Sequence, residues 1–169
     1  RAGALRCGDV VAQEAFVNTR IDYRKASPDA YQAMLGLEAA VRRARLEHAL
    51  LELVKMRVSQ INGCAYCLDM HSKDARAAGE TEQRLYLLPA WREAPFYSQR
   101  ERAALAWAEA VTQVSMNEPS DTLYADVRAH FNEKEMVDLT LAIIAINGWN
   151  RLAIAFRADV GGHVARPVG

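Results

Sequence analysis

Residues 46–79 read LEHALLELVKMRVSQINGCAYCLDMHSKDARAAG, and this stretch decides the fold. Its first half repeats apolar residues at spacings of three and four, which is typical of a helix with a buried face. Asn62-Gly63 interrupts that pattern. A second helix is predicted from about Cys64 to Gly79, because glycine is common just after the end of a helix. The stretch therefore predicts two consecutive helices joined by a tight turn.

The rest of the chain continues the helical pattern. Ala and Leu, which favour helices, outnumber the β-branched Val, Ile and Thr. Ser27, Ser98 and Asn132 are predicted N-caps, the last two in capping boxes with Glu101 and Glu135. Further helices are predicted at 28–45, 81–88, 98–114, 119–131 and 132–159. The sequence predicts an all-α fold, a single-domain helical bundle.

A chain of 169 residues is long enough for one domain with a substantial core. We assign residues 20–160 to the helical domain and 161–169 to an irregular tail. Residues 1–19 form an N-terminal extension, in which a short helix could cover Asp9–Thr19. Gly148 lies inside the last predicted helix, where it would allow a kink or close packing.

Charge and hydropathy exclude several classes of function. Twenty-one basic residues balance 21 acidic ones, which gives no case for a nucleic acid or an anionic membrane as a partner. The longest apolar run, Leu139–Ile146, is far shorter than the ~20 residues that span a bilayer. Charged residues among the first twenty leave no apolar core for a signal peptide. We therefore expect a cytoplasmic protein.

The residues that carry chemistry are Cys64, Cys67 and His71. Their spacing of i, i+3, i+7 lays them along one stripe of a helix, where two cysteines are close enough to form a disulfide. His71, one turn beyond Cys67, could hydrogen-bond to its sulfur. The first turn of a helix favours a thiolate, an effect that by itself favours Cys64. The pattern predicts a redox dithiol.

Two other interpretations of the pair stay open at this point. The cysteines could be small buried apolar residues, or they could bind zinc with His71 and a fourth ligand, Glu52 or His163. We interpret Cys7 as an incidental thiol, and His48 and His130 as surface residues.

Glu52 stands in the apolar sequence Leu50-Leu51-Glu52-Leu53-Val54. A carboxyl group partly buried there would have a raised pKa and could pass protons. An exposed glutamate between two core positions explains the periodicity equally well.

Residues 52–71, ELVKMRVSQINGCAYCLDMH, closely resemble the signature of the AhpD-like alkylhydroperoxidases of the carboxymuconolactone decarboxylase superfamily. The stretches at 75–80 and 145–151 resemble the same family, and the likeness covers roughly residues 20–158. It implies an AhpD-like helical fold, assembly as trimers or hexamers, and a thiol peroxidase activity.

The resemblance also implies a role for each residue. In such enzymes the second cysteine, here Cys67, attacks the peroxide, and the first, here Cys64, condenses with it to a disulfide that an external dithiol reduces. The reductant could be a protein or a small molecule. Glu52 and His71 match the proton relay that activates Cys67. We prefer Cys67 to Cys64 as the nucleophile because a neighbouring base acts on it directly. The scheme requires neither a cofactor nor a metal.

One position departs from the family pattern. The best-known members carry a histidine between the cysteines, where this chain has Tyr66, so proton transfer must run through fewer groups, a water or the Tyr66 hydroxyl. The main alternatives to a peroxidase are a disulfide oxidoreductase or redox sensor, and a decarboxylase-like lyase. Lyases of the superfamily generally lack the paired cysteines.

Overall fold

The structure is a computed structural model that describes residues 18–165. The predicted helix over Asp9–Thr19 and the interpretation of Cys7 lie almost entirely outside these residues. Within them the chain forms eight α-helices, one short 3₁₀ turn and no strand, which confirms the all-α prediction. The helices are α1 (Tyr23–Ala26), α2 (Pro28–Arg43), α3 (His48–Asn62), α4 (Ala65–Ala77), α5 (Glu82–Leu87), α6 (Gln99–Thr112), α7 (Asp121–Arg128) and α8 (Glu133–Phe156).

Local sequence accounts for most helix ends. Both capping boxes form, one between Ser98 and Glu101 and the other between Asn132 and Glu135. Ser27 occupies the N-cap of α2 as predicted, but its side chain makes no capping hydrogen bond. α5 ends at Leu87, and the chain continues in a 3₁₀ turn, Leu88–Ala90, that contains Pro89.

α3 is the central helix of the bundle and packs against α4, α6 and α8. Its apolar side chains belong to two hydrophobic clusters of the core. Leu50, Val54 and Val58 pack towards α6 and α8, whereas Leu53 and Met56 pack against the segment from α5 to the start of α6. Because α3 is covered on several sides, the polar residues on it are buried as well.

By length and composition alone, α8 is long and apolar enough to cross a membrane. This was not predicted from the sequence because only the longest uninterrupted run of apolar residues was considered. In the bundle, however, Leu139, Ala142, Ile143 and Ile146 of this helix are buried against other helices. The core helix of a soluble protein passes the same test. α8 packs in this way against the core of the bundle.

The helix runs without a break through Gly148. A Cβ atom at this position would lie 2.8 Å from Cε of Met34, so the glycine allows α2 to pack closely on α8. Of the two possibilities, the close approach is observed.

Candidate active site

The two cysteines meet at the junction of α3 and α4. Gly63 ends α3 in the left-handed conformation, with φ of 68°, which a glycine adopts without strain. Cys64 then caps α4: its Sγ accepts a hydrogen bond from the backbone N–H of Cys67 at 3.4 Å. The two sulfur atoms are 2.6 Å apart, and both side chains are buried. A disulfide between them requires only a small movement of the side chains.

The pKa values of the two thiols are shifted in opposite directions. The hydrogen bond shared with Cys67 outweighs burial and lowers the pKa of Cys64 to about 7, helped by the N–H of Cys67 and by Asn150. The pKa of Cys67 is raised, because the shared proton stays on its sulfur and because burial disfavours its thiolate. Cys64 is therefore the first to ionise, as the helix-terminus effect alone predicts.

A polar network next to the two cysteine sulfurs was not predicted from the sequence. Asn150 of α8 is fully buried, donates to Ser59 Oγ at 3.1 Å and accepts from Asn62 at 2.8 Å. Its amide also lowers the pKa of both thiols. Ser59 follows Glu52 by seven residues, and this spacing of buried polar positions on α3 is the signal that could have revealed part of the network.

Glu52 and His71 form a buried pair. Nδ1 of His71 lies 2.8 Å from Oε2 of Glu52, and the side chains are 8% and 6% exposed. The ammonium of Lys55 lies 3.4 Å from the other carboxylate oxygen and 3.0 Å from Glu38. His48 is half-exposed, yet its Nε2 is 4.0 Å from Glu52, so it belongs to the edge of the site as well as to the surface.

The predicted direction of the Glu52 pKa shift was wrong. Burial does raise the pKa, but the hydrogen bond and charge of His71 and the charges of Lys55 and His48 outweigh burial and lower it to about 2. The lowered pKa favours the ionised carboxylate of Glu52 near neutral pH. The prediction failed because it considered only the apolar residues next to Glu52 in sequence. The cationic side chains that lie near Glu52 in the fold were not included.

Cys67, His71, Glu52 and Tyr66 line one cavity of about 350 Å³, which we call the Cys67 cavity. Its apolar wall is built by Tyr31, Leu35, Leu51, Met70 and Trp149. Cys64 does not line it; instead it borders a separate surface depression with Tyr66, Ala153 and Ile154. Within residues 18–165 His71 and Cys67 form no hydrogen bond with each other, so the predicted bond is not made, although both side chains line the same cavity.

The donor atoms of Glu52, His71 and Asp74 lie within 4.8 Å of one another and could hold a metal ion. A cation there would compete with the Lys55 ammonium, which already neutralises Glu52. The alternative zinc set is not assembled, since no group of three or more donors in the described chain includes a cysteine. His163 lies instead 2.7 Å from Asp74, and His130 is exposed as predicted.

The shifted thiol pKa gives a direct prediction. Thiolate absorbance near 240 nm should rise with a midpoint near pH 7, since the pKa of Cys64 is lowered to about 7, and Cys64→Ser should remove this step. Asn150→Ala should move the midpoint to higher pH because the thiolate loses an amide donor. A wild-type chain that titrates only above pH 8.5, like a free cysteine, would contradict the geometry of the pair.

The chain is similar to known proteins in sequence and in fold. Residues 28–110 match the model of the carboxymuconolactone decarboxylase family. The chain is 45% identical over 139 residues to the uncharacterized protein YdfG of Bacillus subtilis, an alignment that covers 82% of this chain and 95% of YdfG.

The fold is shared by several solved structures, including two at different levels of identity. One is a protein of unknown function from Agrobacterium tumefaciens, proposed to be an antioxidant defence protein AhpD; it is 46% identical, with a TM-score of 0.83 over 86% of this chain and 100% of that one. The other is the debrominase Bmp8, at 21% identity and a TM-score of 0.73 over 82% of this chain and 74% of that one. The second likeness concerns the fold alone.

Proposed function

Because the chain belongs to the carboxymuconolactone decarboxylase family and is AhpD-like, we propose that it is a thiol-dependent peroxidase that reduces hydrogen peroxide or alkyl hydroperoxides. One observation carries the proposal. Cys67 opens onto the same cavity as the Glu52–His71 pair, and the sulfur of Cys64 lies 2.6 Å away from it. A nucleophile, a base and a second thiol are thus within reach of one small molecule.

In the first step the Cys67 thiolate attacks the outer oxygen of the hydroperoxide. The O–O bond breaks, the alkoxide leaves and takes up a proton to become the alcohol, and Cys67 becomes a sulfenic acid. The resting proton of Cys67 must leave first. Both the Cys64 thiolate beside it and His71 across the cavity can accept that proton.

In the second step the Cys64 thiolate attacks the sulfur of the Cys67 sulfenic acid. The S–S bond forms, the S–O bond breaks, and hydroxide leaves as water after taking up a proton. An external dithiol then supplies two electrons and two protons, so that both cysteines return to thiols and the reductant becomes a disulfide.

Glu52 serves this chemistry through His71. The ionised carboxylate accepts the Nδ1 hydrogen, so in the neutral ring Nε2 is the acceptor that takes a proton from the nucleophile and returns it to the leaving oxygen. Tyr66, whose hydroxyl accepts a hydrogen bond from Arg24 and which lines the cavity, is a further candidate for the relay.

One observation favours a second function. Cys64 has the lower pKa and borders a surface depression outside the Cys67 cavity; its side chain is buried, so exchange with the disulfide of another protein requires a local opening at this depression. A disulfide oxidoreductase or redox sensor would use this thiol without needing the Glu52–His71 pair.

We further propose that the protein is a homo-oligomer, a trimer or hexamer, in the cytoplasm, where cellular dithiols reset the pair. Val137 and Ile144 lie seven residues apart on α8 and are 67% and 51% exposed, with the half-buried Leu141 between them. Such an apolar stripe on the outside of a helix is typical of a contact between subunits.

The activity is tested by following cumene hydroperoxide and dithiothreitol with the wild-type chain. We expect one alcohol and one oxidised dithiothreitol for each peroxide consumed, at a rate well above that of dithiothreitol alone. Unchanged peroxide in the presence of two titratable site thiols would support the oxidoreductase or sensor instead.

A further inference from the structure

Arg24 lies at the Cys67 cavity and has no acidic side-chain partner among the residues that the structure describes. No carboxylate of residues 18–165 lies within 4.0 Å of its guanidinium, and α1, which carries it, is largely exposed. Its Nη2 donates to the hydroxyl of Tyr66 at 3.1 Å, and its guanidinium carbon lies 5.9 Å from the ring centroids of both Tyr23 and Tyr31. These contacts hold the group in place, and the hydrogen bond to Tyr66 uses one of its five N–H donors.

The other cations of the cavity differ from Arg24. Lys55 is neutralised by Glu38 and Glu52. Arg42, which is exposed like Arg24, also has no acidic partner in the described chain, but it lies eleven residues beyond Tyr31 on α2, about 16 Å along the helix axis. Arg24 is bound to Tyr66, the chain neighbour of Cys67, so it is the oriented cation at the sulfur end of the cavity.

The cavity beside this cation suits an apolar body. Tyr31 and Trp149 meet edge to face, with ring centroids 5.8 Å apart, and Leu35, Leu51 and Met70 complete the wall. A volume of about 350 Å³ is within the range of small-molecule sites and admits a substituted aromatic ring. The space therefore combines an apolar wall, a fixed cation and a reactive thiol.

From these contacts we propose that Arg24 binds the carboxylate of an organic hydroperoxide, whose apolar body lies against the Tyr31–Trp149 wall and whose peroxide group faces Cys67. A planar guanidinium with free N–H donors matches a carboxylate in two parallel hydrogen bonds. Tyr66 is a positioning residue that orients Arg24. The inference rests on the proposed peroxidase and names its substrate class as anionic organic hydroperoxides.

The test compares cumene hydroperoxide with its para-carboxylate, a pair that differs only in the anion. At low salt the wild-type chain should have a kcat/KM about tenfold higher for the carboxylate, and Arg24→Gln should abolish this preference, chiefly through KM. Tyr66→Phe should reduce it about threefold through KM, since the hydroxyl that holds the guanidinium is gone. High salt should weaken the wild-type preference.

Lys25→Gln is the matched control. Lys25 is the next residue on the same helix, carries the same charge, is 87% exposed and does not line the cavity, so this variant should keep the wild-type preference. An equal loss of preference in Lys25→Gln and Arg24→Gln would overturn the proposal, because the preference would then depend on the net charge of the protein and not on Arg24.

A binding measurement separates failure of this inference from failure of the peroxidase. Calorimetry with 4-isopropylbenzoate and 4-isopropylbenzamide should show tighter binding of the anion to the wild-type chain, and loss of that difference in Arg24→Gln. If the wild-type chain reduces both peroxides equally and binds both analogues equally, the role of Arg24 is wrong and the peroxidase stands. If it reduces neither peroxide but still prefers the benzoate through Arg24, the anion site stands and the peroxidase is wrong.

Discussion

The Cys67→Ser variant should lose turnover of cumene hydroperoxide by at least about 10³-fold in dithiothreitol, down to the rate of the reductant alone. A serine hydroxyl does not ionise near neutral pH and forms no sulfenic acid, so the first step has no nucleophile. The measurement is alcohol formed over time. Cys7→Ser, which changes a thiol far from the pair in sequence, should match the wild-type chain.

A second variant is needed to establish which cysteine attacks the peroxide, since Cys64 has the lower pKa. Without reductant, Cys64→Ser should consume one equivalent of peroxide and stop at a Cys67 sulfenic acid, which dimedone traps and mass spectrometry locates. The reverse pattern, one turnover in Cys67→Ser and none in Cys64→Ser, would assign the attack to Cys64 and contradict the argument from the cavity. Decarboxylation of a lactone acid that survives loss of both cysteines would indicate a lyase.

Glu52→Gln and His71→Gln should each slow the reaction of Cys67 with peroxide, by about 10²–10⁴-fold. The glutamine at 52 keeps the shape but not the charge that fixes the His71 ring, and the glutamine at 71 has no ring nitrogen to carry a proton. Because the two groups act as a unit, the double variant should be about as slow as the slower single variant. Single-turnover rates across pH measure the effect, and a far-UV spectrum checks that each variant is folded.

Glu38→Gln is the control for this pair. It removes the other carboxylate bonded to Lys55 but leaves Glu52 and His71 in contact, so it separates the role of the relay from the charge balance of Lys55. We expect a loss of less than about tenfold. Normal rates in both Glu52→Gln and His71→Gln would end the relay proposal and leave the dithiol intact.

Most of the fold could be predicted because its signals are local. The capping boxes at Ser98 and Asn132 and the break at Gly63 act within a few residues, and the helices begin and end near them. α1 was missed because four residues carry no helical period, and the end of α8 was placed too late because Arg157, at φ of 52°, ends the helix in a conformation that few non-glycine residues adopt.

From spacing alone, the sequence predicted only those site residues that lie close together along one helix. Cys64, Cys67 and His71 follow from their spacing on α4, and Glu52 from the resemblance. The contacts that set their chemistry involve residues distant in sequence. Asn150 of α8 lowers the pKa of Cys64, and Arg24 of α1 donates a hydrogen bond to the hydroxyl of Tyr66. The sign of the Glu52 pKa shift depends on such contacts, since burial and neighbouring cations act in opposite directions and only the fold shows which is larger.

The most direct test of the peroxidase is a single turnover with one equivalent of cumene hydroperoxide and the reduced wild-type chain, without reductant. The account predicts one molecule of cumyl alcohol per chain, loss of two of the three cysteine thiols, and a peptide that contains a Cys64–Cys67 disulfide. Peroxide that remains intact, or alcohol that forms while both site thiols stay free, would contradict it.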